Sequence, residues 1–244
     1  MLIYLLQFWY KKFPPATFQQ YHAILEVHFP YYRALNADLK PRFLSRLHIL
    51  LKFITFIPNN MPEVRPEMKI IIGSAIIQVT FGLKRFILKF FTTIYVVPRP
   101  YNFTGFPNKL LGHVDLKEQV VCLSWHDVQH GFHVADDAVN VALHEVAHCL
   151  EAENRFRAIF QEFFNRIKYY KWRKVAFRKL AIMQKGQHQF LKDYGAQNMS
   201  ELFAVCIEAF FEQPEQFKQQ LPPLYAALSD LLHQDPTRKE MPLI

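Results

Sequence analysis

Asn140-Val-Ala-Leu-His144-Glu145-Val-Ala-His148-Cys-Leu-Glu151 decides how the rest of the chain is read. It is an H-E-x-x-H sequence inside an apolar run with the period of a buried helix, and among its first eleven residues only Asn140, the two histidines and Glu145 are polar. Residues four apart share a helix face, so His144 and His148 can both direct an imidazole nitrogen at one metal ion about 2 Å away. Glu145, turned about 100° from His144 around the helix, cannot easily join that coordination sphere and stands where a general base would reach a metal-activated water. Burying two unpaired imidazoles and a carboxylate costs roughly a few kcal/mol each. A divalent cation satisfies all three at once, and zinc is the metal this motif takes. The competing reading is a partly exposed helix on which two of the chain's 11 histidines happen to fall four apart.

Two imidazoles leave the site incomplete. Glu151 shares the face of His144, but on a straight helix the trio would span about 10 Å, too far for ligand bonds of about 2 Å. It is expected beside the site or on the surface. No H-x-x-G-x-x-H continues the motif, which disfavours a metzincin. A glutamate from a later helix is the other solution, and Glu162, Glu201, Glu208, Glu212 and Glu215 are the candidates. Glu201 is preferred because it opens Glu201-Leu-Phe-Ala-Val-Cys-Ile-Glu-Ala-Phe-Phe, the most apolar helical stretch after the motif. The same residues read equally as a helix start, with Asn198 or Ser200 as cap and Glu201 closing a capping box. Spacing alone leaves ligand and cap both open.

These stretches resemble the Mlc titration factor A family of zinc metallopeptidases. The resemblance rests on Asn140-Val-Ala-Leu-His144-Glu145-Val-Ala-His148, on Leu123-Ser-Trp125 followed by Gly131, and on Tyr194-Gly-Ala-Gln-Asn-Met-Ser-Glu201-Leu-Phe-Ala-Val, and extends loosely from Pro41 to Gln219. It implies Zn²⁺ held by His144, His148 and Glu201 in a gluzincin arrangement, with Tyr194 over the metal to stabilise an oxyanion. It implies a peptide or protein substrate and, through the family's name, a role in sequestering a transcriptional repressor. That role keeps a second class in view, a zinc-stabilised binding protein with incidental peptidase activity. The chain departs from the pattern at Cys149-Leu150-Glu151, where the family commonly has an aspartate after the leucine, and in an unusually apolar N-terminus. Neither departure touches the expected ligands; both bear on regulation and partners.

With 244 residues, 51% of them hydrophobic, the chain can bury one sizeable core or two small fused portions. Three cysteines without a C-x-x-C read as buried thiols in a reducing, cytoplasmic setting. Seven glycines and no phosphate-binding loop argue against a nucleotide enzyme. The net charge of +8 is concentrated in the basic, aromatic stretch from Arg166 to Lys179. That stretch reads as a solvated helix face in preference to a nucleic-acid or membrane surface.

The opening Met1-Leu-Ile-Tyr-Leu-Leu-Gln-Phe-Trp-Tyr is too short to span a bilayer and carries no cleavable signal. It reads as a helix packed on its own protein, with an interfacial anchor as the alternative. Helices are expected over 17–27, 37–56, 67–88 and 155–184, strands over 92–97 and 119–123, and short proline-broken helices after Pro214. The second strand is expected to offer a peptide substrate its edge. His126, His130 and His133 fit no metal spacing and are expected on a loop or rim. The expected architecture is α+β and mainly α, with a helical portion (1–91) packed on a zincin-like portion (92–244) that holds a small sheet and the H-E-x-x-H helix.

Overall fold

Proline lacks the amide that a helix cannot use in its first turn, and it begins helix after helix in this chain. In the computed structural model, which describes residues 15–105, 107–134, 136–157, 162–187 and 190–238, it opens α1 (Pro15–His28) and α2 (Pro30–Ala34) and sits in the first turn of α3 (Lys40–Leu51). The helix expected to reach residue 56 stops at Leu51. The β-favouring Thr-Phe-Ile that follows forms strand β1 (Thr55–Pro58) instead. Helix α4 (Pro66–Thr80) likewise ends short of residue 88. Buried Arg46 donates to the carbonyls of Thr80, Phe81 and Leu83, placing a cation where the helix leaves acceptors unpaired. Burial lowers its pKa to about 9, which still leaves it charged at neutral pH. Gly82 follows because a Cβ there would sit 2.3 Å from the carbonyl oxygens of Leu232 and His233.

Three further strands, β2 (Thr93–Val97), β3 (Gly112–Asp115) and β4 (Val120–Ser124), complete a sheet in the order β1-β2-β4-β3. β1, β2 and β4 run parallel, and β3 is antiparallel to β4. This corrects the expectation for residues 119–123: β4 is paired on both sides, so the edge available to a peptide belongs to β3. Ser124 donates its amide to Leu111 and Gly112 stands opposite Leu123. By the alternation of antiparallel pairing, Leu111, His113 and Asp115 bond to β4, while Gly112 and Val114 turn their amides and carbonyls to the free edge. One step back, the outward groups of Leu110 are taken by both backbone bonds to Tyr101. The open edge therefore begins at Gly112.

Helix α5 (Trp125–His133) leads to the motif helix α6 (Val141–Phe156). The single helix expected over 155–184 is two: α6 carries on through Phe156, and Asn165 starts α7 (Arg166–Met183) by accepting the amides of Ile167 and Lys168. A 3₁₀ turn (Asp193–Ala196) precedes α8 (Met199–Glu212), and α9 (Pro214–Gln220) and α10 (Pro222–Leu232) close the described chain. The fold is α+β and mainly helical, with ten α-helices and one four-stranded sheet among the described residues. One continuous core runs from Phe18 to Leu232, and Cys122, Cys149 and Cys206 are buried free thiols. No helix of the described residues is long and apolar enough to cross a membrane. Residues 1–10, read as a packed helix or an anchor, lie outside the described residues.

Candidate metal centre

The start of α6 is fixed by one side chain. Asn140 accepts the Leu143 amide (3.1 Å), and its Nδ2 donates to the Gly131 carbonyl and to Glu212 Oε1, both at 3.0 Å. Gly131 is needed because a Cβ there would come within 2.9 Å of Asn140. Burial pushes the Glu212 carboxyl up to about 8, so it is largely protonated at neutral pH. With its first turn held this way, α6 presents His144 and His148 on the face that packs along α8.

There they meet Glu201. Its Oε2 lies 3.2 Å from His144 Nε2 and 3.4 Å from His148 Nε2, and the three donor atoms fall within 4.8 Å of one another. The helix start that the sequence offered is present, with Asn198 as its cap and without Glu201 closing a capping box. Asn198 caps α8 by accepting the amides of Ser200 (2.9 Å) and Glu201 (3.0 Å), which leaves the Glu201 carboxylate free to turn to the histidines. The outer nitrogens are also engaged: His144 Nδ1 pairs with Glu208 Oε1, and His148 Nδ1 lies 3.0 Å from Ser200 Oγ. With Nδ1 occupied, each ring presents Nε2 inward. Two imidazole nitrogens and one carboxylate oxygen suit a borderline-soft divalent ion.

The electrostatics agree with that donor set. Burial lowers the His144 pKa, but its hydrogen bonds to the Glu201 and Glu208 carboxylates outweigh that and bring it up to about 10. Burial raises Glu201, and its bonds to His144 and His148 pull it down to about 2. The pocket is built to keep a positive charge between its carboxylates, whether a proton or a metal ion.

Glu145 is 6% exposed and makes no hydrogen bond among the described residues. Burial raises its pKa, the two histidines oppose that shift, and Glu201 and Glu208 add to it. It lies against the sheet edge: a Cβ on Gly112 would sit 2.9 Å from Glu145 Cγ. Tyr194, half exposed, holds its ring 5.9 Å from that of His144, and burial together with the charges of Glu201 and Glu145 raises its hydroxyl pKa. Gly112, Val139, His144, Glu145, Lys192 and Tyr194 border one open cleft of about 400 Å³.

Glu151 is outside this group, buried and accepting the Tyr169 hydroxyl at 3.2 Å. His126, His130 and His133 are exposed on α5, which is helix where a loop or rim was expected, and line a separate groove with His28 and Glu67. Two residues escaped the sequence reading. Glu208, in sequence a ligand candidate, holds the far nitrogen of His144 and is itself held by Lys192 Nζ at 3.0 Å. Its signal was its place seven residues after Glu201 on one helix face. Gly112 had no local signal.

Residues 10–233 match the family model described as glucose-regulated metallo-peptidase M90, and the chain belongs to that metallopeptidase family. Such a family implies a divalent metal, and the group of His144, His148 and Glu201 could hold one. Among individual proteins, Mlc titration factor A of Escherichia coli (strain 55989 / EAEC) is 30% identical over 125 residues, which make up 49% of this chain and 46% of that protein. Mlc titration factor A of Shigella flexneri matches to the same extent. The chain thus spans about half the length of these relatives.

Proposed function

We propose that the chain is a zinc-dependent peptidase in which His144, His148 and Glu201 hold the metal, Glu145 handles the proton and Tyr194 supports the oxyanion. The observation that carries this reading is the placing of an unpaired, buried Glu145 between the donor triad and the free edge of β3. Zinc is preferred because two histidines and a glutamate, with a fourth position open, are its catalytic donor set. When bound, zinc supplies Lewis acidity, polarising a carbonyl and lowering the pKa of water from 15.7 toward about 7.

The residues of the chain do the rest. The outward amide and carbonyl of Gly112 pair with an extended peptide and lay its scissile bond along α6. The raised pKa of Glu145 suits a base that takes a proton from the attacking water and returns it to the leaving amine. Tyr194, which also borders the cleft, donates its hydroxyl to the developing oxyanion. Glu208 and Ser200 keep the two imidazoles aimed. The described parts of 1–91 and 92–244 work as one unit in this reading, since β1 extends the sheet and α4 packs against α6. The buried free thiols support a reducing, cytoplasmic setting.

Metal analysis tests the ligand set. Glu201→Ala should lose most of its zinc and Glu151→Ala should keep it; equal retention would return Glu201 to the helix start. The relatives' name supports a second reading, a metal-stabilised protein that titrates a transcriptional repressor. A Glu145→Gln protein that keeps its metal and every cellular effect of the parent would favour that reading over the peptidase.

A further inference from the structure

The solvent face of α7 combines cations with exposed apolar side chains. Its 18 residues include seven lysines and arginines and no acidic residue. Its buried side is conventional: Trp172, Ala176, Leu180 and Met183 face the core, and Trp172 packs edge-on against Phe203 at 4.8 Å. The opposite side carries large apolar groups that nothing in the described protein covers. Ile167 is 67% exposed, Tyr170 71%, Phe177 66% and Ile182 44%. At 100° per residue, Ile167, Lys174 and Arg178 form the middle of this face, with Tyr170 and Phe177 along one flank and Lys171 and Ile182 along the other. A helix whose outer face is merely solvated has no use for four such side chains. Arg166, Lys171, Lys174 and Arg178 form no ion pair among the described residues, so their charge is available to a partner.

We propose that this face of α7 docks the protein on an anionic lipid surface, lying in the plane of the headgroups. The cations match the negative surface potential, and the aromatic and aliphatic side chains between them reach the acyl boundary. Nucleic acid is disfavoured because Ile167 at the middle of the face and Ile182 on its flank offer neither a hydrogen-bonding group to a base edge nor a ring for a base to stack on. The proposal concerns α7 and is independent of the peptidase reading.

Vesicle co-sedimentation of the full chain tests it, comparing phosphatidylcholine alone with mixtures containing phosphatidylserine. The parent should sediment with the anionic vesicles only, and less so in high salt. Lys171→Glu/Lys174→Glu/Arg178→Glu should weaken partition by about a hundredfold or more. Tyr170→Ser/Phe177→Ser should weaken it by about tenfold at unchanged charge. All these positions are exposed, so melting temperature and metal content should match the parent. Failure of the parent to sediment with anionic vesicles overturns the proposal, even if it retains polyglutamate or RNA, which would assign the face to another partner. Undiminished sedimentation of both variants also overturns it, by placing lipid binding outside α7.

Discussion

Helix α6 buries three glutamates, and two of them, Glu145 near its start and Glu153 two turns on, have opposite surroundings. Glu153 is fully buried and fully paired: it accepts the amides of Lys89 and Phe90 at 2.6 Å and both Nε and Nη2 of Arg157 at 2.8 and 2.6 Å. It ties the loop before β2 to the end of the motif helix. Glu145 is nearly as buried, has no such partners, and borders open space beside two histidines. A buried carboxylate that is completely hydrogen-bonded holds structure together. One left unpaired beside a cleft costs desolvation energy that structure does not recover, a cost that the proposed role of Glu145 as a base would explain.

The largest test of this contrast is Glu145→Gln, assayed as the purified metal-loaded protein. Loss of a general base lowers the rate of peptide cleavage by about 10²- to 10⁴-fold. Metal content should stay at the parental level, and the melting temperature should hold or rise, because a buried unpaired carboxylate has been replaced by a neutral group. A variant that melts well below the parent would place Glu145 with Glu153 as a structural group and break the comparison.

Glu153→Ala should do the reverse. It leaves Arg157 buried without its partner, a loss of about 3–5 kcal/mol. At roughly 2–4 °C per kcal/mol for a chain of this size, the thermal midpoint should fall by about 10 °C. Cleavage per folded molecule at low temperature should be close to parental. Calorimetry showing no shift would mean that the four bonds are not worth what their geometry implies.

Tyr194→Phe sharpens the chemical side with the least disturbance. A half-exposed ring keeps its packing and loses one hydroxyl. An oxyanion donor is worth about 10²- to 10³-fold, lost from kcat and kcat/KM together with KM nearly unchanged. A parental rate would reduce Tyr194 to a wall of the cleft.

How far the placement of these side chains is legible in the sequence depends on whether its cause is local. His144, Glu145 and His148 were legible because a helical period and a four-residue spacing are local facts. Glu201 was legible as two alternatives, and only the packing of α8 on α6 shows Asn198 doing the capping while the carboxylate turns inward. The edge strand was not legible: Gly112-His-Val-Asp has little β character of its own and is a strand because β4 lies beside it. The break after Phe156 was hidden because apolar and basic residues continue through it in helical rhythm. What stops α6 there includes Arg157 turning back to Glu153 and to the Ile87 carbonyl, a contact 70 residues distant in the chain.

Glu208 yields the smallest and most specific expectation, because it acts on His144 from outside the donor triad. Its Oε1 holds Nδ1, its Oε2 is held by Lys192, and the Lys192 ammonium also donates to the Ala138 carbonyl just before the motif helix. Glu208→Gln keeps the shape and removes the charge. Three effects should follow: the imidazole is less basic, its ring is less firmly oriented, and Lys192 loses its ionic partner. Partners of this kind are worth about 10- to 100-fold in metal affinity. Competition with a chelator should therefore show weaker zinc binding, while cleavage at saturating zinc stays within a few-fold of the parent. Glu153→Ala should leave chelator resistance unchanged in the cold, because its bonds serve the far end of α6. If the two variants lost zinc equally, the two ends of the helix would be a single cooperative unit, and the division between holding structure and tuning chemistry would fail at the residue where it is finest.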